Sequence, residues 1–117
     1  MALPAVQAAE PSLQERGDAL IKNVVEMMAH GGMGDAKAIV HHCGEAANDA
    51  KAILRQLPDS DPRRSQALTP LTNVIDYCER VTAIGVHAAP GQLLNPAIKA
   101  RAAARESFKA LGLAKLN

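Results

Sequence analysis

The two cysteines of this chain, Cys43 and Cys78, lie on either side of a cluster of prolines and aspartates at 58–62. The midpoint between them falls inside that cluster. If the cluster is the turn between two antiparallel helices, residues equidistant from it lie at the same height. Helix axes pack about 8–10 Å apart, and a disulfide needs Cα atoms about 4.4–6.8 Å apart, so two inward-facing cysteines can meet. The spacing favours a disulfide, with two inert buried thiols or a pair of thiolate ligands for Cu(I) as the alternatives.

Histidines and methionines gather at one end of the arrangement that this hairpin implies. His30 ends the first predicted helix and His87 lies in the third predicted turn, and the first and third turns of an up-down bundle share an end. We therefore expect His30 and His87 near each other, with the thioethers of Met28 and Met33 beside them. Imidazoles with thioethers are typical of copper sites, and with fewer thioethers of zinc or nickel sites. The alternative is a set of exposed turn residues.

A second histidine pair directly precedes the first cysteine. His41 and His42 point about 100° apart on a helix, so they do not readily share one ion. At the height of His42 the antiparallel partner on the first helix is near Asn23, with Glu26 one turn away. His42 and Glu45, three residues apart, predict a weak, exposed metal site or an ordinary surface contact between histidine and glutamate. The further alternative is that both histidines are simply solvated.

Capping and turn signals divide the chain into four amphipathic helices. Ser12 and Glu15 match a capping box, which starts the first helix. Glycines at 31–34, the cluster at 58–62 and a Gly/Pro stretch at 85–91 then separate the helices. Short connections make neighbouring helices antiparallel. The sequence therefore predicts an all-α fold, an up-down-up-down antiparallel four-helix bundle built from two helical hairpins.

The start of the third helix, the range of the last helix and the apolar face of each helix can also be predicted. The third helix begins at Asp61-Pro62 or at Thr69-Pro70, since both are cap-then-proline pairs. The last helix is expected over about 92–113, with Pro96 in its first turn. Apolar residues recur at helical spacing in each helix, among them Val25 in the first and Leu68 and Ile84 in the third, and Ile98 of the last helix is expected to point toward the core.

Composition excludes several classes of function. Aromatic residues make up 2% of the chain and its formal net charge is +1, so neither base stacking nor a basic surface predicts nucleic-acid binding. No apolar run approaches the roughly 20 residues of a membrane span. The sequence has no phosphate-binding loop, nucleophile elbow or paired Glu-x-x-His units, and we expect no enzymatic activity. Without a CxxCH motif, no haem is expected.

The amino terminus reads MALPAVQAAE, with small residues spaced as at a signal-peptidase site. Residues 1–11 are therefore interpreted either as the remnant of an export signal or as a disordered leader, and 12–117 as the bundle. Export predicts a periplasmic location, where disulfides form.

The stretch Val24–Ile53, VVEMMAHGGMGDAKAIVHHCGEAANDAKAI, resembles the periplasmic small metal-binding protein family. Those proteins are bundles of two helical hairpins with His-Ala-x-Glu-Ala units on their helices and His-Gly-x-x-Gly turns. Residues 29–34 look like that turn, and 42–46 look like the helical unit. The resemblance implies binding of divalent metals, copper prominent among them, and carries over His30 and His42, and Glu45 to a lesser degree. Other family histidines are replaced in this chain, by Asn23, Asp35, Asp49 and Tyr77.

Two functions from different classes follow. The first is a small exported bundle that binds a transition metal ion for storage, buffering or delivery, with copper favoured and nickel or zinc as alternatives. The second is a disulfide-stapled bundle that binds another protein, such as a periplasmic partner, and no metal.

Overall fold

A computed structural model describes residues 10–115 of the chain. Its four helices are α1 (Leu13–Gly32), α2 (Ala36–Gln56), α3 (Pro62–Ile84) and α4 (Pro90–Ala110). They form two hairpins that pack as an antiparallel bundle without strands in the described residues, so the predicted all-α fold is confirmed. Residues 1–9 of the predicted leader lie outside the described part of the chain. None of the four helices has the length and apolar character needed to cross a bilayer.

Side-chain caps begin the first two helices. The Glu15 amide donates to Ser12 Oγ at 3.1 Å, and the Ser12 amide donates to Glu15 Oε1 at 3.4 Å, which completes the predicted capping box. Asp35 caps α2 by accepting the Ala38 amide at 3.0 Å. Each contact satisfies an amide that has no partner within its own helix. Gly34, at φ +76°, supplies the left-handed residue that the intervening turn requires.

The third helix uses the first of its two predicted starts. Asp61 accepts the Arg63 amide at 2.9 Å, and Pro62 occupies the first turn. Arg64 then reaches back across the turn and donates to the carbonyls of Leu54 and Leu57 at 2.8 and 2.7 Å. These bonds satisfy carbonyls at the end of α2 and hold α2 and α3 together at their junction.

The last helix differs from its prediction at both ends. Pro90, the first helical residue, precedes the expected start at 92, and the helix ends at Ala110 instead of 113. Pro96 consequently lies beyond the first turn, and that detail of the prediction was wrong. Proline favours the first position of a helix, so Pro90 gives an earlier start than the one assigned from the apolar pattern.

Helix packing depends on alanine. Neighbouring helices contact around the bundle, and α2 also approaches α4 across its diagonal. Small side chains allow that approach, because methyl groups let helix axes come close without voids. The fully buried alanines of these two helices are Ala46, Ala50, Ala97, Ala100 and Ala104.

Four residues of the predicted apolar faces are exposed, and the expectation that Ile98 points toward the core was wrong. Val25 is 51% exposed, and Leu68, Ile84 and Ile98 are 42%, 40% and 45% exposed. Each helix buries a narrower stripe than its apolar residues suggest, because alanine and glycine fill part of the interface. Fully buried side chains such as Met27 and Leu93 occupy the central stripe.

The disulfide joins the two hairpins. Cys43 of α2 and Cys78 of α3 are bonded, with their Cα atoms 5.0 Å apart, and both are fully buried. The favoured alternative of the sequence analysis is thereby confirmed, and no free cysteine remains for a thiolate metal site.

The two ends of the described chain are also tied together. The side-chain amide of Gln14 donates to the Ala114 carbonyl at 3.0 Å, and its oxygen accepts the Ala114 amide at 3.1 Å. Gly112, at φ +64°, turns the chain back after α4 and directs Leu113 over Gly17 of α1.

Replacing both cysteines by alanine should lower the free energy of unfolding by roughly 3–4 kcal/mol, because the bond closes a loop of 35 residues in the unfolded chain. Urea unfolding of the variant and of the wild-type protein, with and without reductant, measures the difference. Reductant should destabilise the wild type and leave the variant unchanged. Equal stability of the oxidised wild type and the variant would contradict this expectation.

Gly44→Ala should raise the free energy of unfolding by about 0.5–1 kcal/mol, since a Cβ at this position of α2 meets no atom within 4 Å. Gly17→Ala is the matched control, because its Cβ would displace Leu113 and touch Phe108 at 3.4 Å. We expect Gly17→Ala to gain less than Gly44→Ala in the same urea titration. An equal or larger gain at Gly17 would show that Leu113 contributes nothing there.

Candidate functional site

Two histidines stack across the first hairpin. His30 lies in the last turn of α1 and His42 in the second turn of α2. Their ring centroids are 5.5 Å apart and their planes differ by 9°. The glycine-containing turn after α1 reverses the chain, and so brings these positions, distant in sequence, to one height.

A hydrogen bond to Asn23 sets the orientation of His42. Asn23 Nδ2 donates to Asp49 Oδ2 at 3.0 Å, which leaves Asn23 Oδ1 to accept from His42 Nδ1 at 3.2 Å. Nδ1 therefore carries a hydrogen, and Nε2 is the nitrogen available for other chemistry. It points toward Glu26, with Oε2 at 3.4 Å. The expected contacts of His42 with the region of Asn23 and Glu26 are confirmed.

His30, His42 and Glu26 together form what we call the histidine cluster. Glu26 precedes His30 by one turn of α1, so both side chains lie on the same side of that helix. The His42 side chain is 15% exposed and that of Glu26 is 41% exposed. The cluster thus offers two imidazoles and a carboxylate at a partly shielded junction of two helices. Within residues 10–115, no group of three or more His, Cys, Asp or Glu is arranged to hold a metal ion.

A buried carboxylate, that of Asp49, is linked to the histidine cluster through Asn23. Asp49 is 9% exposed, and its Oδ1 lies 4.0 Å from Arg16 Nη1. Burial raises the pKa of Asp49 above its ordinary value, and it outweighs the Asn23 hydrogen bond and the Arg16 charge, which both lower the pKa. The charge of Glu45 adds to the rise. Arg16, Asp49, Asn23, His42 and Glu26 thus make one continuous polar chain along the α1–α2 interface.

The other predicted ligands lie outside this cluster. His87 is exposed on the turn between α3 and α4, and Met33 is 76% exposed on the turn after α1. Met28 is half-buried and packs against the core. Glu45 is exposed and lines a groove between α2 and α3 together with His41. The structure thus joins His30 with His42 and pairs His42 with Glu26.

Sequence reasoning missed two members of the site. Glu26 was weighed only as a neighbour of His42, although its spacing of four residues from His30 is a recognisable helical pair. Asp49 enters the sequence analysis only as a residue that replaces a histidine of the resembled family, and its burial is not among the expectations. Its position seven residues after His42, two helical turns along α2, is the signal that places both on one side of that helix.

Comparisons of this chain with known protein families, with curated proteins and with solved structures find no match.

Asp49→Asn should change how stability depends on pH. A carboxyl whose pKa is raised on folding binds its proton more tightly in the folded state, so its contribution is present below the unfolded value of 3.8 and is lost as pH rises through the folded value. The wild type should therefore lose stability relative to Asp49→Asn as pH rises above 3.8. Urea unfolding of both proteins across this range measures the difference.

Asp61→Asn is the control of opposite sign. Hydrogen bonds from the Arg63 side chain and backbone lower the pKa of Asp61 to about 2. Its contribution should be present above pH 3.8 and lost as pH falls toward 2. If the difference between wild type and Asp49→Asn were constant with pH, the burial of the Asp49 charge would have no energetic consequence.

Proposed function

We propose that this protein binds a transition metal ion at the histidine cluster. The observation that carries the proposal is the stacked His30–His42 pair with the Glu26 carboxylate beside it. Two imidazoles bound to one ion each place a nitrogen about 2 Å from it. Rings whose centroids are 5.5 Å apart are close enough to share one ion, once each ring turns so that a nitrogen of each faces it. The Glu26 side chain, 41% exposed, has room to rotate toward the ion.

The donor set indicates which ions fit. Imidazole nitrogens and a carboxylate oxygen suit Cu(II), Ni(II) and Zn(II), whereas Cu(I) prefers thioether and thiolate sulfur. Met33 is on an exposed turn, Met28 packs against the core and both cysteines are in the disulfide, so the proposed donors are nitrogen and oxygen atoms. Copper remains the favoured metal as Cu(II), with nickel and zinc as alternatives. The polar chain behind the cluster supports this proposal, because metal-bound histidines commonly donate their second ring N–H to a protein oxygen.

A periplasmic role in storage, buffering or delivery agrees with these features. The disulfide is typical of oxidising compartments, and the resemblance of residues 24–53 to the periplasmic small metal-binding proteins implicates the same two histidines. A site with few protein ligands at a partly exposed junction suits reversible exchange of the ion better than permanent retention. The role proposed is therefore binding without catalysis.

Titration of the oxidised, tag-free protein with Cu(II), Ni(II) and Zn(II) tests the proposal. We expect about one equivalent of Cu(II) to bind the wild type, and His30→Ala and His42→Ala each to weaken binding by tenfold or more. Asn23→Ala should weaken it by about 10–100-fold, because it frees the ring that Asn23 orients. Acidification should also weaken uptake, since protons compete with the metal for imidazole nitrogens.

His41→Ala and His87→Ala are the matched controls, because each removes an imidazole outside the cluster. Both should bind Cu(II) as the wild type does. Loss of uptake in His87→Ala instead would place the metal site at the turn between α3 and α4. Weak binding that no single histidine variant alters would contradict the proposal. It would favour the alternative function, a bundle that binds another protein and no metal.

A specific surface favours that second function. Met33, Ile84 and Val86 are 76%, 40% and 41% exposed, and they lie on or beside the two turns at one end of the bundle. Exposed apolar side chains near one another often mark protein contacts. Pull-down of a partner that is lost in Met33→Ser/Val86→Ser, with metal uptake absent throughout, would support this function.

A further inference from the structure

A groove lies between α1 and the carboxyl end of α4, on a different side of α1 from the histidine cluster. Its volume is about 710 Å³, within the range of small-molecule sites. Ile21 of α1, Phe108 of α4 and Leu113 of the following segment give it an apolar lining. The Gln14–Ala114 hydrogen bonds hold that following segment in place across the end of α1.

Cationic side chains surround this apolar lining. Arg105 and Lys109 are one helical turn apart on α4, and Lys115 follows the Gly112 turn. All three are exposed, and within residues 10–115 none of them forms an ion pair. Elsewhere in the described chain, Arg63 and Arg64 are both paired with aspartates. The cations of the groove therefore have their charge available for a ligand.

Two carboxylates also line the groove. Asp18 accepts a hydrogen bond from Gln14 Nε2 at 2.9 Å, which engages one of its oxygens. Glu106 is exposed beside Arg105 on α4. With three cations against two carboxylates, the groove retains a positive balance, and the apolar lining lies between its charged residues.

We propose that this groove binds a single-chain carboxylate amphiphile of the medium-chain fatty-acid type. The alkyl chain would lie against Ile21, Phe108 and Leu113, where it loses contact with water. The carboxylate would be held by Arg105 and Lys109, since a guanidinium offers two parallel hydrogen bonds to a carboxylate. Both halves of such a ligand thus find complementary chemistry in one groove.

This inference is independent of the metal site. Ile21 and His30 are nine positions apart on α1, about 13 Å along the helix axis, and the cluster faces α2 whereas the groove faces α4. Variants of either site therefore leave the other intact. His30→Ala should bind the amphiphile as the wild type does.

Calorimetric titration with sodium decanoate below its micelle concentration tests the proposal, with backbone amide NMR shifts to locate the ligand. Arg105→Gln/Lys109→Gln should weaken decanoate binding by about tenfold or more, because it removes two charged hydrogen-bond donors. Lys37→Gln/Arg55→Gln, the same charge change on exposed residues of α2, should have no effect. Decyltrimethylammonium, with the same chain and the opposite charge, should bind at least tenfold more weakly than decanoate.

Three results would overturn the proposal. The first is unchanged decanoate affinity in Arg105→Gln/Lys109→Gln. The second is equal binding of decyltrimethylammonium and decanoate, which would reduce the effect to unspecific apolar contact. The third is a set of NMR shifts confined to residues outside the groove. Circular dichroism of each variant ensures that a loss of binding is not a loss of fold.

Discussion

The covalent bond between Cys43 and Cys78 is the constraint on which the arrangement of this bundle depends. It joins α2 of the first hairpin to α3 of the second, at a point where both cysteines are fully buried. Because helices can slide past one another by a turn at modest cost, a bond at mid-height removes alternatives of register that apolar packing alone leaves open. His42 directly precedes the bonded residue, so the backbone that presents it is held by the same bond. The placement of the histidine cluster thus depends on a disulfide whose cysteines are not members of the cluster.

The second determinant is the contrast between the small-residue contact of α2 with α4 and the polar chain between α1 and α2. Alanines at the centre of α2 and α4 let those helices approach across the diagonal. On the α1 side of α2, by contrast, Asp49, Asn23 and His42 replace apolar contacts with directional hydrogen bonds. Buried polar side chains are usually paired, and Asp49, Asn23 and His42 all are. Directional bonds fix side-chain orientation, which a purely apolar seam of the same size would leave freer.

Much of the architecture follows from local signals in the sequence. The Ser12–Glu15 box, the glycine turn and the symmetric placement of the cysteines depend on neighbouring residues and on helix geometry alone, so they were predictable. The start of α3 was left open because Asp61-Pro62 and Thr69-Pro70 carry the same signal, and the Arg64 bonds to α2 that accompany the first are tertiary. The exposure of Val25 and Ile98 escaped prediction for a similar reason: periodicity marks the apolar side of a helix, but neighbouring helices set how much of it is buried. Helix geometry predicts which residues of α1 lie at the height of His42. The direction of the His42 ring, toward Glu26 and away from Glu45, is not predictable in this way, because it depends on Asn23 and Asp49 acting together.

The bonds between Gln14 and Ala114 have a mechanical consequence. They place the beginning of α1 beside the segment that follows α4, so a force that pulls the two ends apart acts on one edge of the bundle. Under such a load α1 and α4 peel away turn by turn, because their contacts are broken in succession and not all at once. Peeling stops at the Cys43–Cys78 bond, since the disulfide carries the load past the residues it encloses. Because the cysteines are 35 positions apart in the sequence, roughly 120 Å of contour stays hidden from the force until the bond is reduced.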